Sequence, residues 1–86
     1  MALILLVEDD EFVKDMLTQV LTRDGHQVET ACDGEDALEV LQTCKPNVIV
    51  TDIIMPKKSG TALIKEVKAS HPDMKIVAIS GGGRSD

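Results

Sequence analysis

Acidic side chains stand at two places where the sequence passes abruptly from apolar to charged. Glu8-Asp9-Asp10-Glu11 follows the run Leu3 to Val7, and Asp52 follows Val48-Ile49-Val50-Thr51. A third apolar stretch, Lys75 to Ile79, is closed by the hydroxyl of Ser80. Two carboxylates held about 4 Å apart repel by about 4 kcal/mol at an effective dielectric near 20. A cluster of that kind either raises its pKa values or recruits a cation, and partly solvated oxygen ligands suit Mg2+ or Mn2+ better than zinc. A carboxylate beside a hard cation is a competent nucleophile toward a phosphoryl group, because the ion screens and orients the incoming anion. The Ser80 hydroxyl and backbone N–H groups can then donate to the new phosphoryl oxygens. These residues point to a Mg2+-dependent aspartyl-phosphate site, provided that the fold brings their segments together.

Two alternating periodicities supply that fold. Leu3 to Val7 is too short for a helix and reads as a strand buried on both faces, as in parallel sheets. From Glu11 to Arg23, Val13, Met16, Leu17, Val20 and Leu21 recur at helical spacing, which leaves Lys14, Asp15, Gln19 and Arg23 on the outer face. Asp10 suits the N-cap and Gly25 the residue just past the C-terminus. Gln27 to Cys32 alternates like a half-buried edge strand. Asp33 then caps a helix running to about Thr43, with Ala37, Leu38, Leu41 and Cys44 as its buried stripe, before Pro46 and Asn47 break it. Val48 to Val50 is a strand leading into Thr51-Asp52. Beyond the loop at 53–60, Leu63, Ile64 and Val67 mark a helix from about Thr61 to Ser70, and Lys75 to Ser80 forms the last strand. The order βαβαβαβ calls for right-handed crossovers and a parallel sheet. Ligands of such sheets lie beyond the carboxyl ends of the strands, where Glu8, Asp9, Asp52 and Ser80 all stand.

Composition removes several other classes of function. Nine Lys and Arg against fifteen Asp and Glu give a net charge of −6 over 86 residues, which argues against a direct nucleic-acid binder. Hydrophobic residues make up 43 % and charged residues 28 %, a mix that folds. Phe12 is the sole aromatic residue, so base-stacking platforms and aromatic cages are excluded. The apolar run at the start has no basic lead-in and is too short to cross a bilayer, so neither a secretory signal nor a membrane span is expected. Cys32 and Cys44 are too few for a disulfide framework or zinc site and read as reduced, buried thiols of a cytoplasmic protein. Gly81 to Gly83 lack the Gly-Lys-Ser/Thr that a P-loop requires. Asp10 and Glu11 read as a solvated helix N-terminus favoured by the helix dipole.

The segments ILLVEDD at 4–10, VIVTDIIMPKKSG at 48–60 and KIVAIS at 75–80 resemble, in order, the receiver domain of two-component response regulators of the chemotaxis-regulator type. The resemblance covers essentially the whole chain and implies a flavodoxin-like α/β fold with sheet order 2-1-3-4 and three helices. It implies that Asp52 is the phospho-acceptor, loaded from a sensor histidine kinase or phosphotransfer protein. It implies that Asp9 holds the divalent ion directly, that Glu8 acts through water, and that Asp52 and the main-chain carbonyl of Ile54 are the other protein ligands. Ser80 resembles the switch hydroxyl, and Met55-Pro56 and Gly60 the loop that shapes the pocket floor. Such a module is a phosphoacceptor with autophosphorylation and autodephosphorylation activity rather than a conventional enzyme.

Family members continue through a fourth helix, a fifth strand and a fifth helix, so residues 1–86 correspond to the N-terminal portion of a receiver domain. The strand-five lysine has no counterpart here, since Lys57 and Lys58 lie in the wrong loop, and the switch is expected to be impaired. Apolar residues of the first and third strands are then expected to face water and the fourth strand to form a bare edge. Self-association, as a dimer by edge pairing or element exchange, would cover them. Two other functions compete: a Mg2+-dependent phosphatase with an aspartate nucleophile, and a non-catalytic self-associating module. The phosphatase needs an acid-base Asp two residues after Asp52, where Ile54 stands.

Overall fold

Strands and helices alternate along the chain in the computed structural model, which describes residues 2–52 and 60–79. The elements are β1 (Leu3–Val7), α1 (Glu11–Arg23), β2 (Gln27–Ala31), α2 (Gly34–Val40), β3 (Val48–Asp52), α3 (Gly60–Ser70) and β4 (Lys75–Ile79). All strand pairs are parallel and the sheet order is β2-β1-β3-β4, as expected. Ile54, Met55, Pro56 and Ser80, for which roles were expected, lie outside the described residues, as do Lys57, Lys58 and the glycine-rich end.

Side-chain alternation sends Leu5, Val7 and Ile49 to one face of the sheet, where they form a core with Ala31, Ala37 of α2, and Leu63 and Val67 of α3. Ile4 and Leu6 point to the opposite face, against which α1 packs through β1 and β2. Each fully buried Leu or Ile contributes about 1.5–3 kcal/mol, so the central strands anchor the domain. Asn47 ties the start of β3 to that of β1: its Oδ1 accepts from Leu3 N–H and its own N–H donates to the Leu3 carbonyl, both at 2.8 Å. The register runs from Ile4 opposite Val48 to Val7 opposite Thr51, which puts Glu8 and Asp52 side by side at the end of the ladder.

Local signals position α1. The Asp10 carboxylate accepts from the N–H groups of Phe12 and Val13 at 2.9 and 3.1 Å, capping the helix. At the other end Gly25 adopts φ +93°, while its N–H donates to the Thr22 carbonyl and that of His26 to the Leu21 carbonyl, a Schellman arrangement.

Some packing departs from the sequence expectation. Lys14 is buried rather than outward, whereas Met16 and Val20 are about half exposed, at 47 % and 49 %. The face of α1 turned to the sheet runs through Val13, Lys14, Leu17, Thr18 and Leu21, and the apolar stripe is wider than the surface that covers it. Lys14 tolerates burial because its ammonium meets the Glu11 carboxylate at 3.0 Å, which holds its pKa above the ordinary lysine value. Among the described residues the exposed large apolar side chains are Phe12, Met16, Val20 and Val77, and none is on β1, where Ile4 and Leu6 are buried. Helix α2 ends at Val40, not near Thr43. The N–H groups of Gln42 and Thr43 donate to carbonyls three residues back, a tightened turn that precedes Pro46. Cys44 is half-buried, with its thiol pKa raised by desolvation, but Cys32 is exposed. The Cys32 N–H donates to Asp36 in the turn after β2, and its sulfur lies 3.9 Å from the Lys14 ammonium.

Candidate functional site

Parallel strands that end in register bring their following residues together. Glu8 extends β1 by one residue, Asp52 is the last residue of β3, and Asp9 follows at the start of the turn into α1. One carboxylate oxygen from each of Glu8, Asp9 and Asp52 lies within 4.8 Å of the others. Glu8 is 3 % and Asp52 7 % exposed, while Asp9 is open to solvent, so the cluster is a shallow, one-sided acidic pocket. The expected convergence of these three is therefore present, and Asp9 and Asp52 lie within reach of one shared ion or water. Ile54 and Ser80, expected to complete the site, are not among the described residues.

Electrostatics at Glu8 show what the pocket needs. Desolvation is the largest influence and raises its pKa, with the charges of Asp52 and Asp9 acting in the same direction. The Asp10 N–H, donating to Oε2 at 3.1 Å, acts against them. Oε1 is buried without a hydrogen-bond partner among the described residues. An orphaned buried oxygen beside two further carboxylates fits a hard cation, held directly or through a coordinated water. These residues thus fit Mg2+.

Sequence reasoning assigned no role to Thr51, which is wholly buried and whose hydroxyl donates to the main-chain carbonyl of Asp52 at 2.9 Å. A polar residue inside the apolar run preceding the acid was the available signal. Asp10 and Glu11 stand apart from the acidic pocket, one as the helix cap and the other paired with Lys14. Among the described residues, no helix is long and apolar enough to cross a membrane.

The response regulator receiver domain family matches residues 4–86. The chain is 34 % identical over 82 residues to the chemotaxis protein CheY of Thermotoga maritima, covering 94 % of this chain and 68 % of that protein. Among solved structures, the response regulator TrrA of Thermotoga maritima in complex with Mg2+-BeF superposes with a TM-score of 0.90 at 30 % identity, covering 94 % of this chain and 70 % of that one. TrrA in complex with the histidine kinase ThkA superposes with a TM-score of 0.89 at 31 % identity, covering 100 % and 76 %. Larger curated relatives, among them a sensor kinase and several regulators, are spanned over only 9–36 % of their length. With its sheet order, its acidic pocket and these matches in agreement, the chain belongs to the response regulator receiver domain family of two-component systems.

Proposed function

We propose that residues 1–86 form the N-terminal portion of a phosphoacceptor module in which Asp52 takes a phosphoryl group from a phosphohistidine on a sensor histidine kinase or phosphotransfer protein. The convergence of Glu8, Asp9 and Asp52 oxygens within 4.8 Å carries this reading. Asp9 would hold Mg2+ directly and Glu8 through water, with Asp52 and the Ile54 carbonyl as the other protein ligands. Mg2+ is chosen over Mn2+ because the TrrA neighbour binds it together with beryllofluoride. When bound, Mg2+ neutralises the cluster and orients the phosphoryl oxygens. An Asp52 carboxylate oxygen attacks phosphorus as the bond from phosphorus to the imidazole nitrogen breaks. That nitrogen keeps the electron pair and takes a proton from solvent. Ser80 is the hydroxyl that would turn toward the phosphoryl group and report it. The ThkA–TrrA complex supports the choice of a kinase as partner. The cytoplasm is the setting of this proposal, on the ground that two cysteines are too few for a disulfide framework.

Incubation with acetyl phosphate and Mg2+ followed by intact-mass measurement tests the proposal. One phosphoryl adduct is expected on the wild type and none on Asp52→Asn. Phosphoester turnover without a lasting adduct would favour the phosphatase reading. Neither adduct nor turnover would leave only an interaction module.

Self-association is a second property we assign, with another copy of this chain as the partner. Among the described residues the outer edge of β4 pairs with no strand, and Val77 on it is 49 % exposed. Antiparallel pairing of two β4 strands about Val77 would set Lys75 opposite Ile79, with no like charges facing. Light scattering at high micromolar concentration is expected to report a dimer that a lysine at Val77 dissolves. A monomer with a cooperative melt would refute it.

A further inference from the structure

We propose that Asp10 is a positioning residue for the divalent-ion pocket: by capping α1 it keeps its own N–H on the Glu8 carboxylate and so fixes the turn that carries Glu8 and Asp9. The inference rests on the reading of Glu8, Asp9 and Asp52 as the holders of Mg2+. Four hydrogen bonds meet at residue 10. Its Oδ1 accepts from the N–H groups of Phe12 and Val13 at 2.9 and 3.1 Å, and its carbonyl accepts from the Lys14 N–H at 2.9 Å. These tie it to the first turn of α1. The remaining bond runs the other way, from the Asp10 N–H to Glu8 Oε2 at 3.1 Å. On the sheet side the Glu8 N–H donates to the Ala31 carbonyl of β2 at 3.0 Å. Asp9, open to solvent, therefore lies between one residue held by the sheet and one held by the helix. With Oε2 engaged by Asp10, the buried Oε1, which has no partner among the described residues, is the Glu8 oxygen left for the ion or its water. Loss of the Oδ1 acceptor leaves two N–H groups of the helix start unsatisfied and favours a frayed first turn, with the Lys14 bond alone to hold residue 10. A frayed turn releases Glu8 Oε2. The ion must then restore the turn on binding, so its apparent affinity falls with the fraction of chains that keep the turn.

A merely structural cap would stabilise the helix and leave the pocket alone, and variants at the two ends of α1 separate the roles. Asparagine and serine cap a helix about as well as aspartate, whereas alanine does not. All three replacements remove the charge, so a difference among them reports the cap and not the field around the ion. Mg2+ affinity of each variant of the whole chain is to be measured by NMR titration of backbone amide shifts, and stability by thermal melting. Asp10→Ala is expected to bind Mg2+ about threefold more weakly than Asp10→Asn or Asp10→Ser, with the cap's own effect on a helix start, about fivefold, as the ceiling. Gly25→Ala strains the far end of α1, where φ is +93°, and is expected to lower the melt without changing that affinity. Equal affinities for the alanine, asparagine and serine variants overturn the role, as does a Gly25→Ala affinity that falls with its melt. Should Asp10→Ala not fold, the wild type supplies the test, because coupling between two events is reciprocal. Saturating Mg2+ is then expected to slow hydrogen exchange of the Phe12 and Val13 N–H groups about threefold and to leave that of Thr22 and Arg23 unchanged. No change, or the same change at both ends, overturns the role. A wild type that binds no Mg2+ overturns the reading of the pocket and this role together.

Discussion

Replacing Glu8 with glutamine is expected to raise the melting temperature of the metal-free protein while weakening its hold on Mg2+ by about ten- to a hundredfold. Glu8 is almost wholly buried, one of its oxygens has no partner among the described residues, and two further carboxylates stand beside it. Burial holds its pKa above the ordinary carboxylate value, with the neighbouring charges adding to the effect. For an acid whose pKa is higher folded than unfolded, the contribution favouring the fold is complete below the unfolded pKa. It is lost as pH rises through the folded one. At neutral pH the ionised side chain therefore costs stability. Glutamine keeps the shape and removes the charge, a gain of about 1–2 kcal/mol. For a domain of this size that is about 4–8 °C per kcal/mol, measured by calorimetry in chelator at pH 7. The gain should shrink at acidic pH, where Glu8 is protonated in both states. Addition of Mg2+ should reverse the ranking, since a ligand at a hundred times its Kd adds about 2.7 kcal/mol to the form that binds it. An equal or lower melting temperature for the metal-free variant at neutral pH would contradict the electrostatic account.

Leu5→Ala is expected to abolish cooperative folding at 37 °C or bring the chain close to it. Leu5 is wholly buried in the core that joins β1 and β3 to α2 and α3. Removal of a buried leucine costs about 2–5 kcal/mol, because the cavity collapses only in part. At about 0.05–0.15 kcal/mol per residue, a chain of this length has about 4–13 kcal/mol in all. Gln19→Ala, on the exposed face of α1, should change stability by no more than about 0.5 kcal/mol when the two variants are compared by urea unfolding. Similar losses at the two positions would mean that the core does not lie where the structure places it.

Strands β1, β3 and β4 were legible because each is an apolar run bounded by charge or proline, and β2 was legible from its alternation of polar and apolar residues. The acidic pocket was legible for a related reason: parallel strands end at one level, so an acid just past each run must share a neighbourhood with the others. The orientation of α1 was less so. Its apolar stripe is wider than the sheet beneath it, and periodicity does not reveal that Met16 and Val20 lie on the uncovered flank while Lys14 turns inward to pair with Glu11. The end of α2 depended on competition between a helical pattern and the approach to Pro46, which the tightened turn settled early. Cys32 was expected to be buried because small thiols usually are, but it falls one residue beyond β2, where Asp36 captures its N–H. The bond from Thr51 to the Asp52 carbonyl depends on a rotamer, which spacing does not encode.

The central claim is that Glu8, Asp9 and Asp52 hold one divalent ion with Asp52 open to an incoming phosphoryl group. Fluorine NMR of the chain with beryllofluoride, a phosphoryl mimic, tests it most directly. Bound fluorine resonances are predicted only when Mg2+ is present, and are predicted to vanish in Asp52→Asn. Resonances that persist without Mg2+ or without the Asp52 carboxylate, or none at all on the wild type at millimolar Mg2+, would contradict it.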